Sequence, residues 1–200
     1  MSIAKQLINI GAIKLDPENY FTWTSGIKSP IYCDNRIIIS FPKVRKSVIE
    51  AMLQEIKTNF KEVEVIAGCA TAGIPHAAWI ADQLDLPMVY VRDKAKSHGL
   101  NNQIEGQIGN GERVLVIEDL ISTGGSSIKA ANAVEEAGGE VLGILSIFSY
   151  NLMKSQKNMK EHGYESYSLL TFDTLLHELV ESGDFDTNQM NTLIEWRNNL

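Results

Sequence analysis

The sequence predicts an α/β chain, a central and mostly parallel sheet flanked by helices, with a small cap or hood contributed by the N-terminal residues. Three observations lead there. Apolar runs of strand length alternate with amphipathic runs of helical length through the middle of the chain. The flanks break that rhythm: residues 1–40 are rich in turn-forming residues, and the end of the chain reads as two helices. Finally, 200 residues with 44% hydrophobic content suffice for one core, and no linker or repeat divides them. A single domain is therefore expected, with the hood over about residues 1–40, the sheet over about 60–150 and the closing helices over about 174–200.

Taken in order, Ile3, Leu7 and Ile10 are spaced as on one face of a helix. The polar segment Thr24-Ser25-Gly26-Ile27-Lys28-Ser29-Pro30 belongs to the hood. Val63–Ala67 reads as a strand, Pro75–Leu84 as a helix and Pro87–Val91 as a second strand. Arg113–Ile117 reads as a buried strand. Ser126–Ala137 places Ile128, Ala131 and Val134 on one helical face and stops at Gly138-Gly139. Val141–Phe148 is a further apolar run, and Thr174–Glu181 and Thr187–Arg197 are the terminal helices.

Composition excludes several classes. Eighteen Lys and Arg against 25 Asp and Glu give a net charge of −7, the opposite of a general nucleic-acid binder. The longest uncharged stretch, Val65–Ala81, is interrupted by Gly68, Gly73 and Pro75 and is too short to span a membrane. The N-terminus lacks the apolar core and cleavage site of a secretory signal, so a cytoplasmic location is expected. Cys33 and Cys69 are the two cysteines, with no paired ligands at metal-site spacing, and read as free thiols.

Ligands of such sheets gather beyond the carboxyl ends of the strands, which directs attention to three loops. The first is Glu118-Asp119-Leu120-Ile121-Ser122-Thr123-Gly124-Gly125-Ser126, where two acids close an apolar strand and a glycine turn opens a helix. Bare amides at a helix start receive a phosphate. The acids suit either vicinal sugar hydroxyls or a hydrated Mg²⁺. A ligand carrying ribose and phosphate satisfies both halves. Neither a Walker loop nor a dinucleotide-binding glycine motif is present.

The second loop, Arg92-Asp93-Lys94-Ala95-Lys96-Ser97-His98-Gly99, sets a local positive field against the negative whole. It suits a polyanion and a closing cover, although a solvated surface loop would look the same. The third, Thr71-Ala72-Gly73 before Pro75, joins strand to helix through small residues that let a ligand approach the backbone.

Together these residues resemble the type I phosphoribosyltransferases, whose fingerprint is an apolar strand, two acids and a Thr-Gly-Gly-Ser loop. Within that family the chain resembles the orotate-using members through three further features. These are the hood segment Phe21–Tyr32, the Lys-x-His-Gly of Lys96–Gly99, and Asn102-Gln103-Ile104-Glu105-Gly106. The resemblance spans about residues 1–170. It implies the type I fold and transfer of a phosphoribosyl group from 5-phosphoribosyl-1-diphosphate to orotate, releasing pyrophosphate, with Mg²⁺, in pyrimidine synthesis.

By the same resemblance Glu118 and Asp119 hold the ribose hydroxyls and Thr123, Gly124, Gly125 and Ser126 bind the 5-phosphate, with Leu120, Ile121, Thr71, Ala72 and Gly73 completing the donor site. Ser122 and Lys28 meet orotate. Arg92, Lys94, Lys96 and His98 cover the diphosphate, and Lys96, His98 and Asp119 are the catalytic set. It further implies a homodimer whose lid reaches the neighbouring subunit's site. Relatives place an Arg near Tyr150, which cannot supply that charge, so the carboxylate of orotate falls to Lys28, backbone amides or Arg36. His76 reads as structural, and His162 and His177 as surface or helix-end residues.

Two rival functions remain on the residues alone. A purine phosphoribosyltransferase would share the acid pair and phosphate loop, but the Ser-Gly-Ile-Lys-Ser-Pro hood segment argues against it. A non-catalytic sensor of phosphoribosyl diphosphate that binds nucleic acid would need a basic face, which the acidic balance lacks.

Overall fold

A computed structural model of the chain describes residues 1–22, 26, 28–93 and 103–200. The hood begins with helix α1 (Ile3–Asn9), capped by the Ser2 hydroxyl and anchored through buried Ala4 and Leu7. Strands β1 (Ile13–Leu15), β2 (Phe21–Thr22), β3 (Lys28–Ser29) and β4 (Ile31–Cys33) follow as two antiparallel ribbons, β1 with β4 and β2 with β3. A 3-10 turn, Asn35–Ser40, leads into α2 (Pro42–Asn59), where Pro42 occupies the first turn, in which its missing N–H is not needed.

The main body runs β5 (Val65–Cys69), α3 (Gly73–Leu84), β6 (Met88–Val91), β7 (Ile104–Glu105), β8 (Arg113–Ile121), α4 (Gly125–Glu136), β9 (Glu140–Ser149), α5 (Met153–His162) and β10 (Ser166–Thr171), then α6 (Phe172–Glu181) and α7 (Thr187–Asn198). The sheet order is β10-β9-β8-β5-β6-β7. All neighbours pair in parallel except β7, which runs antiparallel to β6 at the edge.

Both faces of this sheet are covered, and the period-two geometry of the strands divides the core accordingly. Ile66, Leu115 and Ile117 join the cluster beneath α1, α2, α3, α6 and α7. Val65, Ala67, Val114 and Val116 join the other, beneath α4 and Met159 of α5. The chain leaves β5 toward β6 through α3 and leaves β8 in the opposite direction toward β9 through α4. Right-handed crossovers in opposite directions put the two helices on opposite faces. The backbone therefore diverges between the carboxyl ends of β5 and β8, and a crevice opens there.

The fold agrees with the α/β expectation and shifts several boundaries. The strand expected at Val63–Ala67 is Val65–Cys69. The strand expected to stop at Ile117 runs on to Ile121, because β9 still pairs with it after β5 has ended: Gly68 faces Ile117, whereas Glu118, Leu120 and Ile121 face Ser146, Phe148 and Ser149. The acid pair thus lies within a strand rather than after it. The sheet also extends past residue 150 to include β10, and α6 starts at Phe172, two residues before its expected Thr174. Among the described residues no helix is long and apolar enough to cross a membrane.

At the amino-terminal end of β8, Arg113 pairs with Glu62 at 2.8 Å and Glu64 at 3.1 Å, on the surface opposite the crevice. At the other end the packing is close. A Cβ on Gly73 would sit 2.5 Å from the Ile117 carbonyl oxygen and 3.4 Å from the Glu118 Cα. Both are backbone atoms of the central strand, so neither can yield cheaply. Gly73→Ala is expected to destabilise the protein by about 1–3 kcal/mol, a fall in Tm of roughly 2–12 °C by calorimetry; an unchanged Tm would contradict this packing.

Candidate functional site

The crevice holds a cavity of about 380 Å³, within the range of small-molecule sites. Its walls come from Ala70, Thr71 and Ala72 after β5, from Glu118, Asp119 and Leu120 of β8, and from Ser126 of α4. The hood closes it with Cys33, Asp34 and Arg36, and Asp93 after β6 completes the rim. The peptide between Ala70 and Thr71 is cis.

Glu118 is 6% exposed. The Asp119 backbone N–H donates to its Oε1 at 3.0 Å, and the Ser127 hydroxyl approaches its Oε2 at 3.5 Å. Burial first, and the neighbouring Asp119 charge second, push the Glu118 carboxyl well above the usual range. Burial also raises Asp119, against the opposing pull of hydrogen bonds and of Arg36. The Cys69 and Cys33 thiols are raised by burial and by these carboxylates, which makes them poor thiolates.

The hood locks onto this pair. Asn35, fully buried, donates from Nδ2 to the Asp119 carbonyl at 2.7 Å. Arg36 forks onto Asp34, with Nε at 2.7 Å from Oδ1 and Nη2 at 2.8 Å from Oδ2. Those two hydrogen bonds hold the Asp34 carboxyl below its ordinary value.

A second cavity, of about 350 Å³, adjoins the first at Ala70, Asp93 and Ser126 and brings Arg92 and Lys129 to the start of α4. That helix begins at Gly124, in the left-handed region with φ 80°, and has no side-chain cap. Its first-turn amides lack intrahelical partners by construction, and the exposed Gly125 and Ser126 present them outward. Ser127, which could otherwise serve the helix start, is turned toward Glu118. The loop is pinned from behind by Asn158, whose Nδ2 donates to the Thr123 carbonyl at 3.0 Å. The crevice is thus acidic at one end and cationic with free amides at the other, the pattern suited to a polyol bearing phosphate.

Seven of the residues singled out from sequence therefore line the main cavity: Arg36, Thr71, Ala72, Glu118, Asp119, Leu120 and Ser126. Gly73 is buried behind it, and Ile121 faces the core rather than the cavity. Ser122, Thr123, Gly124 and Gly125 form the adjoining turn. Arg92 lines the second cavity, 3.5 Å from Glu105. Lys28 is exposed on β3 and is not among the residues lining either cavity. Lys94, Lys96 and His98 lie outside the described residues. Sequence reasoning missed Asn35, Asp34 and Lys129, and the contact of Ser127, the last residue of the glycine-turn motif, with Glu118. Only Ser127 and Lys129 sit near a recognisable motif, and the hood residues carry no local signal. His76 is fully buried against Trp79, in line with a structural role.

The chain matches the model of the phosphoribosyl transferase domain over residues 38–172. It is 55% identical to the orotate phosphoribosyltransferase of Listeria innocua over 197 residues, 98% of this chain and 94% of that protein. The orotate phosphoribosyltransferase structure from Aeropyrum pernix superposes with a TM-score of 0.79 at 28% identity, covering 88% of this chain and 97% of that one. Leishmania donovani UMP synthase gives a TM-score of 0.81 at 26% identity, with 99% of this chain matching 42% of that larger protein.

The unliganded acid pair sets a pH dependence. Because the folded protein raises the Glu118 carboxyl, it binds more protons than the unfolded chain, and stability falls as pH rises from the ordinary glutamate range through the folded value. Glu118→Gln removes the buried charge and should flatten that slope. Thermal melts should show the variant more stable than the parent at pH 8, by about 2–4 °C for each kcal/mol relieved, with the gap shrinking at pH 5. Parallel curves would contradict this origin.

Proposed function

This chain belongs to the phosphoribosyl transferase family, and from that premise we propose that it transfers the phosphoribosyl group of 5-phosphoribosyl-1-diphosphate to orotate. The products are orotidine 5′-monophosphate and pyrophosphate, a step of pyrimidine synthesis. The observation that carries the reading is the crevice itself. A carboxylate pair, Glu118 buried and Asp119 half-buried, and an uncapped helix start share one opening, as a ligand with ribose hydroxyls and a 5-phosphate requires. About half of all positions match a relative that carries this name over nearly its whole length.

In this reading Glu118 and Asp119 accept hydrogen bonds from the ribose hydroxyls, the turn Thr123–Ser126 receives the 5-phosphate on backbone N–H groups with Lys129 adding charge, and Arg92 belongs with the cover over the diphosphate. Thr71, Ala72 and Gly73 lie against the diphosphate side. Ser122 and Lys28 meet orotate. Lys94, Lys96 and His98 cover the departing diphosphate, and the lid crosses to the partner of a cytoplasmic homodimer.

A divalent cation fits the crevice. Asp34, Asp93, Glu118 and Asp119 supply hard oxygen donors with Arg36 as their cationic neighbour. Among the described residues no three His, Cys, Asp or Glu side chains gather closely enough to hold a metal alone. Mg²⁺ would therefore be held chiefly by the donor's own oxygens and by water beside Asp119 and Asp93. It would supply positive charge to the diphosphate.

Breaking the bond from the anomeric carbon to the diphosphate sends the electron pair to the leaving group and leaves positive charge on the ribose ring; the new bond forms to a ring nitrogen of orotate, whose proton passes to the released pyrophosphate or to water. No protein atom need bond to substrate, so the protein's contribution is orientation and electrostatic placement. The carboxylates lie on the sugar side, where positive charge develops, and the lid cations would meet the departing diphosphate, where negative charge collects.

Pyrophosphate release followed with donor, Mg²⁺ and a panel of bases tests the reading. Turnover with orotate and not with purines is expected; turnover with adenine or hypoxanthine alone would replace orotate as acceptor, and no turnover with any base would favour a sensor. Lys96→Ala should lower kcat by about 10²–10³, and a wild-type rate in that variant would remove Lys96 from the leaving-group role.

A further inference from the structure

We propose that Trp196 and Arg197, adjacent in the last turn of α7, are positioning residues for the acceptor side of the crevice, acting through the backbones of Lys28 and of Tyr150 and Asn151. The proposal rests on reading Lys28 as the residue that meets orotate.

Trp196 donates from Nε1 to the Lys28 carbonyl at 3.1 Å, across almost the whole length of the chain. Among the described residues strand β3 is two residues long and pairs with β2 at Ser29 and Lys28. A ribbon this short is marginal by itself, so one added donor to its backbone fixes a large part of its placement. The indole also packs on Phe172, with centroids 6.1 Å apart.

Arg197 holds the segment that follows β9. Its Nη1 donates to the Asn151 carbonyl at 3.2 Å and to the Tyr150 carbonyl at 3.5 Å. The same guanidinium forks onto Asp173, with Nη1 at 2.9 Å from Oδ2 and Nη2 at 2.7 Å from Oδ1. Its side chain is only 10% exposed, and Asn151 donates to the same Asp173 oxygen at 2.8 Å. This segment is also stitched to the central strand, because the Tyr150 N–H donates to the Ile121 carbonyl at 3.0 Å. Cys33 and Tyr32 of the hood stand close enough to the buried Tyr150 phenol for their charge to raise it further.

The hood segment around Lys28–Cys33 and the segment after β9 therefore face each other beside the acid pair, and consecutive residues of one helix hold both. Neither side chain lines the cavity. Their effect on substrate is carried by the two backbone segments they anchor, and it falls on the acceptor rather than on the donor.

Trp196→Phe keeps a ring against Phe172 and removes the N–H. The orotate KM should rise about threefold to tenfold, the factor for one net hydrogen bond. The donor KM should stay within about twofold and Tm should barely move. In a Lys28→Ala background, the same substitution should have no further effect on the orotate KM, because the residue it positions is gone. Arg197→Lys, which keeps the charge but loses the fork, should likewise act on the orotate KM before the donor KM. An unchanged orotate KM in Trp196→Phe, an effect additive to that of Lys28→Ala, or a parallel rise in both KM values with a falling Tm would each overturn the proposal. The functional reading fails separately, if the parent protein turns over no orotate.

Discussion

Two carboxyl groups side by side, largely withdrawn from water near the end of the central strand, are the constraint around which the rest of this structure is arranged. Glu118 and Asp119 repel one another and lose solvation together, so the unliganded fold carries them at a cost. What surrounds them limits that cost. The Asp119 N–H donates to the Glu118 carboxyl, and Ser127 turns away from its own helix start toward the same group. A ligand presenting hydroxyls or positive charge would relieve the same repulsion, which makes the strained pair a source of affinity. Stability and binding are opposed at one point, a common arrangement in functional sites.

The site is assembled by topology more than by any one motif. Parallel strands whose crossovers depart in opposite directions open a crevice without any loop having to be long. The close approach at Gly73 then brings the post-β5 turn against the end of β8. The crevice is divided electrostatically along its length, with acids toward the hood and cations toward α4. That division matches a ligand with ribose hydroxyls at one end and a 5-phosphate at the other.

Much of this was legible in the sequence, for reasons that can be named. The alternation of apolar and amphipathic runs encodes the sheet because both of its faces are buried, and the acid pair with its glycine turn is a local signal in consecutive residues. The strand containing Glu118 was read four residues too short, since the residues that extend it lie in β9 and no local pattern reports the length of a neighbour. Helices α2 and α5 went unread as elements, although Val44, Val48, Met52 and Ile56 carry a helical spacing in the first. Asn35 and Asp34 were invisible because the partner of the first lies 84 residues away and the pairing of the second with Arg36 follows no motif. Lys28 was placed by resemblance, and the geometry leaves it exposed beside the cavities rather than within their lining.

The clasp of Arg113 with Glu62 and Glu64 lies at the far end of the same strand that carries the acid pair. A strand hydrogen-bonded on both sides is stiff along its length, yet charges separated by most of a domain and by counter-ions barely sense one another. That pole of the molecule is thus free ground for sequence drift: surface charges there can be exchanged, reversed or tuned for heat or salt while the chemistry at the opposite pole proceeds unaltered.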